Sequence, residues 1–282
     1  MKTKILAIFV SSLLIYSCGG NQTENNTDKN RVDSLPPIDS TTSNTTKNFF
    51  YSLPSPLAMA AVYKTSKLKY NEALINPANR VSKYSQQRSM ALNMGVYNAD
   101  MAYTLVNEQT QMSLKYIEAI KSLSDGLQMS SVFDTEDYLK RFRNNVNSID
   151  SLKKISAELK GEADLFLYDN QRQNTALFIF VGVWTESMYI ATQSIKSTQN
   201  NSVATSIAEQ KYALDNLMNL MNDYSKEPNF EDLFLELNNV KQSIDKMVTQ
   251  GDNEDAKVEI NERDMKDLTE KIASLRNKII SE

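Results

Sequence analysis

Residues 177–191 read L-F-I-F-V-G-V-W-T-E-S-M-Y-I-A, and residues 90–105 read M-A-L-N-M-G-V-Y-N-A-D-M-A-Y-T-L. Each run is too long for one strand and shows no polar–apolar alternation. Each is apolar on most faces of a helix, and such a helix is stable only inside a fold. Two interior helices predict an all-α, multi-helix bundle. Each run also carries one glycine near its middle, Gly95 and Gly182, where two helices can approach closely. The stretch Ala176–Trp184 falls short of the roughly 20 apolar residues of a membrane span, and Glu186 follows it. A buried core helix is expected.

Working outward, the flanking segments keep helical periodicity. Helices are expected at about 56–74, 79–106, 109–128, 135–169, 172–198, 202–224, 229–250 and 262–281, about eight in all. Ser55-Pro56 reads as a cap followed by a first-turn proline. Asn76-Pro77 breaks the first helix from the second. Asp134 reads as the cap of the fourth, with Phe133 and Tyr138 as its hydrophobic staple. A break within the fourth is expected near Asn147-Ser148 or Gly161. In the last helix Met265, Leu268, Ile272, Leu275 and Ile279 form one apolar stripe. A helix packed on the bundle explains it, and a coiled-coil seam is the alternative. Gly95-Val96-Tyr97 with Lys115-Tyr116 is echoed by Gly182-Val183-Trp184 with Lys211-Tyr212, the pattern of a duplicated helical hairpin or of convergent core composition.

Composition removes several chemistries. The chain has no histidine and one cysteine. Histidine general bases, Ser-His-Asp triads, histidine-ligated zinc and disulfides are therefore excluded. Thirty-one Lys and Arg face 35 Asp and Glu, a formal net charge of −4, which repels phosphate backbones; no nucleic-acid partner is expected. Carboxylate pairs and Ser-Lys dyads remain. Ser151 and Lys154 have Ser-x-x-Lys spacing, but a helical surface run explains them. Asp252-Asn253-Glu254-Asp255 lacks the ligand series of a calcium loop. No cofactor or metal site is expected.

The amino terminus suggests a location. Lys2 and Lys4 precede a short apolar run, I-L-A-I-F-V-S-S-L-L-I-Y-S, which ends at Cys18-Gly19-Gly20. A basic start, brief apolar core and small residue before the cut make a secretory signal over residues 1–17. Ile15-Tyr16-Ser17-Cys18 resembles the lipobox of bacterial lipoproteins, although Tyr16 stands where a small residue is common. That resemblance implies lipidation of the Cys18 thiol, cleavage before it and anchoring in the membrane. Residues 18–48 are polar and Asn/Thr-rich, too poor in apolar surface to offset their ordering entropy, and read as a tether of roughly 30 Å. Within it, Asp33-Ser34-Leu35 and Asp39-Ser40-Thr41 resemble O-glycosylation sites of secreted Bacteroidota proteins, at Ser34 and Ser40; Asp150-Ser151-Leu152 is a third match. An all-helical domain is expected over 49–282, led by the aromatic segment Phe49-Phe50-Tyr51.

With its lipobox, its tether and the segment Y-S-L-P-S-P-L before a helical domain, the whole chain resembles the uncharacterised all-helical lipoproteins of Bacteroidota. The resemblance implies placement and fold class, not activity. Gly19 follows the cysteine and no acidic run comes after it, which points to the outer membrane, facing the periplasm, rather than surface display.

The candidate site lies in the two core helices. Asp100 and Glu186 interrupt the apolar runs, and Tyr103 and Tyr189 follow each by three residues, on the same helical face. A buried carboxylate needs a partner or it takes up a proton; the tyrosines and Asn93 are the candidates. Two arrangements are open. In the first, the acids satisfy core tyrosines and backbone, leaving a non-enzymatic module that binds a protein partner or scaffolds an assembly. In the second, Asp100, Tyr103, Glu186 and Tyr189 line a pocket for a small ligand or cation. Spacing on two separate helices leaves open whether the acids meet.

Overall fold

The computed structural model describes residues 56–57, 60, 69–134, 136–195, 201–247 and 261–282. The expectations for the leader, Cys18, Ser34, Ser40, the tether and the aromatic segment at 49–51 lie outside the described residues, as does the acidic turn at 252–255. From Gln87 onward the described chain forms nine α-helices, and the described residues contain no strand. They are α1 (Gln87–Val106), α2 (Thr110–Gly126), α3 (Ser130–Asp134), α4 (Tyr138–Asn144), α5 (Ile149–Asp169), α6 (Gln173–Ile195), α7 (Asn201–Met221), α8 (Glu231–Met247) and α9 (Glu262–Ser281). The all-α bundle read from the sequence is what forms.

Helices α1 and α6 are its axis. In α1 only Gln87, Arg88 and Asn98 escape burial. Helix α6 is long and apolar enough to cross a membrane by length and composition, yet 83% of its most apolar window is buried inside this fold. The two helices cross at their glycines. A Cβ on Gly95 would stand 2.0 Å from the Ile179 carbonyl oxygen, and one on Gly182 would stand 1.9 Å from that of Leu92. Gly95 lies at the level of Gly182 and Asp100 at that of Glu186, so the two helices run in the same direction.

The remaining long helices bury single stripes around this pair. Helix α2 buries Tyr116, Ile117, Ile120 and Leu123, and α8 buries Leu233, Leu237, Val240, Ile244 and Met247. Helix α9 buries its five-residue stripe against α6, α8 and α1, as expected of a helix packed on the bundle. Outside the core, α7 and α8 are tied by Lys211, Asp215, Lys241 and Asp245, with cross-helix ion pairs of 2.8 and 2.6 Å.

Several boundaries differ from the sequence reading. Residues 69–71 are not helical, and Glu72–Leu74 is a 3-10 turn capped by Asn71, so no helix runs through to 74. Ala78–Lys83 is also a 3-10 segment, and α1 starts only at Gln87. The expected fourth helix, 135–169, is two helices, α4 and α5, and the short α3 precedes them. Asp134 ends α3 rather than capping the next helix, and Asp137, in left-handed backbone with φ 47°, precedes α4. The break between α4 and α5 falls at residues 145–148, at the expected Asn147-Ser148, where Ser148 caps α5 by accepting from the Ser151 amide, and α5 runs unbroken through Gly161. The third glycosylation-like match, Asp150-Ser151-Leu152, thus sits in the first turn of α5. The two halves of the suggested hairpin duplication differ in environment: Tyr116 is fully buried, whereas Tyr212 is 68% exposed.

Trp184 is fully buried on α6. Its fluorescence should be blue-shifted and resistant to acrylamide in the native protein, then shift red on unfolding. A native spectrum already red and freely quenched would place α6 at the surface.

Candidate functional site: a buried carboxyl pair and its arginine

Asp100 and Glu186 do meet. Both are completely buried, and the two carboxyl groups lie close enough to act on each other's ionisation. A third charged residue, Arg276 of α9, joins them. Its Nε donates to Glu186 Oε2 at 2.8 Å and its Nη2 to Oε1 at 2.9 Å, a two-pronged pairing that suits a planar guanidinium. The same Nη2 donates to the Leu74 carbonyl at 3.3 Å, and the guanidinium carbon lies 4.5 Å from the centre of the Tyr189 ring. Asp100 Oδ2 accepts from the Asn76 backbone amide at 3.1 Å.

Around this cluster the segment 69–86 is stapled to the core by side chains. Asn76 is fully buried and is its centre. Tyr116 donates to the Asn76 carbonyl at 2.8 Å, and Asn76 Nδ2 donates to the Tyr84 hydroxyl at 2.9 Å. The Tyr84 hydroxyl reaches the Ile280 carbonyl at 3.4 Å, and Arg80 donates to the same carbonyl at 2.9 Å. Tyr97 donates to the Pro77 carbonyl at 3.2 Å. A segment with only short 3-10 turns thereby satisfies buried backbone groups inside the fold.

The expected partners are placed differently. Tyr103 shares the face of Asp100, but its hydroxyl accepts from the Asn71 amide at 3.0 Å and its ring lies against Tyr70. Tyr189 contributes its ring face to Arg276. Asn93 donates to the Ser89 and Ile279 carbonyls, each at 3.0 Å, rather than to either acid. Sequence reasoning missed Arg276 and Asn76. Arg276 carried a signal: it lies four residues from both Ile272 and Ile280, within the buried arc of α9. Asn76 carried none beyond Asn-Pro, which reads as a helix break.

Burial pushes the Asp100 carboxyl well above the ordinary carboxylate range, and the adjacent Glu186 charge pushes it further. Burial also raises Glu186, opposed by the Arg276 fork. Neither acid has an exposed atom for a substrate to reach. Among the described residues, no three carboxylates come together as a metal-ion set. A shallow, open groove of about 350 Å³ lies elsewhere, lined by Glu136, Tyr138, Arg141, Glu158, Gly161 and Glu162. Comparison with protein-family models, with curated proteins and with solved structures finds no match to this chain.

Proposed function

We propose that this protein is a non-enzymatic envelope lipoprotein, anchored through Cys18 in the outer membrane and facing the periplasm, whose helical domain binds or scaffolds a protein partner. The observation that carries this over a ligand-binding role is the pairing of Glu186 with Arg276. The chain's own guanidinium stands where a cationic ligand would have to sit, and both acids are sealed. What remains for recognition is the outer surface, including the exposed Tyr212 and Leu235 on the neighbouring helices α7 and α8.

Two measurements test it. Wild-type protein should incorporate an alkyne fatty acid in cells, and Cys18→Ser should not; an unlabelled wild type removes the anchor from the reading. A photo-crosslinking residue at position 212, chosen because Tyr212 is 68% exposed, should give a discrete heterologous adduct in native membranes. Crosslinks to solvent or lipid alone would overturn the partner-binding role.

A further inference from the structure

We propose that Asp100 is a proton-binding site: its neutral carboxyl donates to Glu186, and the shared proton latches α9 and the segment around Asn76 onto the α1–α6 pair. The argument is one of donors and acceptors. Both Glu186 oxygens already accept from Arg276, which favours charge on Glu186. Asp100 Oδ2 accepts from Asn76, but no N–H or O–H reaches Asp100 Oδ1. If both acids were ionised, two acceptors would face each other in a dry interior, and one guanidinium would answer two negative charges. A hydrogen on Asp100 Oδ1 removes both conflicts. It satisfies the orphaned oxygen, turns the acid–acid contact into a hydrogen bond and leaves one carboxylate for one guanidinium.

The latch joins parts far apart in the chain. Glu186 holds Arg276 of α9, and Arg276 and Asp100 hold the backbone at Leu74 and Asn76. The groups acting on or feeling Asp100 are Glu186 from α6, Arg276 from α9, Tyr97 from α1 and Tyr116 from α2; Tyr189 lies behind Arg276, and Tyr103 of α1 turns to Asn71. The segment 69–86 adds Tyr70, and farther out Tyr84 and Arg80 act on Tyr97 and Glu72 on Tyr70. Burial raises Tyr70 to about 12 and pushes Tyr97 and Tyr116 higher, so these tyrosines stay neutral while Asp100 titrates. The sign follows from the direction of the Asp100 shift. The folded state holds a proton that the unfolded chain releases above the ordinary value of 3.8. The latch is at full strength below that value and weakens as pH rises through the raised value of the folded protein, by up to about tenfold per pH unit for one proton.

Asp100→Asn imitates the neutral acid: its amide N–H can serve Glu186 and its oxygen can accept from Asn76. The test is hydrogen exchange of the α9 amides in the full chain, corrected for intrinsic rates, from about pH 4 to about pH 9. In wild type the opening of α9 should increase with pH. In Asp100→Asn it should stay near the acid wild-type level throughout, whereas Glu186→Gln should loosen α9 at every pH. A wild type without pH dependence, or an Asp100→Asn variant that keeps the wild-type slope, overturns the proposal. Should Asp100→Asn fail to fold, infrared spectroscopy of the wild type decides. A carboxylic-acid C=O band must persist at neutral pH, where exposed carboxyls are ionised, and its absence overturns the proposal.

Discussion

Gly182→Ala, the addition of one methyl group, should cost more than the ~1–3 kcal/mol of ordinary overpacking and largely unfold the protein. The new carbon would lie 1.9 Å from the Leu92 carbonyl oxygen and 3.1 Å from Gly95 Cα. Both obstacles are backbone, so no side chain can rotate away, and α1 and α6 must separate along their whole contact. Gly95→Ala should behave alike, since its Cβ would meet the Ile179 carbonyl at 2.0 Å and the Val183 amide nitrogen at 2.7 Å. Two other helical glycines calibrate the effect. At Gly126 the obstacle is Met90 Sδ at 2.5 Å, part of a flexible side chain, so Gly126→Ala should cost little. At exposed Gly161 nothing lies within 4 Å, and Gly161→Ala should stabilise by roughly 0.5–1 kcal/mol through helix propensity. Urea unfolding followed by circular dichroism ranks the four. A Gly182→Ala midpoint equal to wild type would mean that the helices do not cross at these glycines.

Arg276→Ala should destabilise by about 3–5 kcal/mol, a large share of the ~5–15 kcal/mol that holds a domain together. The loss comes from what is left behind. Glu186, fully buried, would lose both donors and be driven towards its protonated form at a cost, and the Leu74 carbonyl and the Tyr189 ring would lose their contacts as well. Arg276→Lys should recover only part, because an ammonium cannot span both Glu186 oxygens as the fork does. The double variant Glu186→Gln with Arg276→Met should be more stable than Arg276→Ala alone, since it removes the buried charges together. Equal stability of Arg276→Ala and wild type in a thermal melt would show that the buried ion pair is absent.

The fold was legible where the sequence is extreme. Apolar residues on every side of the segments around Gly95 and Gly182 leave an interior helix as the one stable outcome, and an acid inside such a segment stands out. Helix stops were harder to see. Glu108, Gln128 and Gln171 adopt left-handed backbone, with φ of 62°, 60° and 54°, just past the ends of α1, α2 and α5. At each, the next amide turns back to a carbonyl of the last helical turn: Gln109 to Thr104, Met129 to Ser124 and Arg172 to Leu167, all at 2.8 Å. This end motif usually announces itself by glycine, and here glutamate and glutamine take its place. Arg276 was obscured for the opposite reason: α9 is rich in charge, so one buried cation among several solvated ones does not stand out. Tyr103 shows the limit of spacing arguments. Three residues from Asp100 puts it on the same face, but its hydroxyl extends to another segment.

Arg276 follows in the chain, by a long stretch, both acids that it joins, and this order bears on how the fold comes into being. Ninety residues separate Arg276 from Glu186, 186 separate Ile279 from Asn93, and 200 separate Ile280 from Arg80. During synthesis α1 and α6 therefore emerge with both acids before their counter-ion exists, and the order of emergence delays closure of the interior until α9 arrives. A product truncated before α9 would keep both acids without the guanidinium that answers them, so the centre of the bundle closes only once α9 has been made.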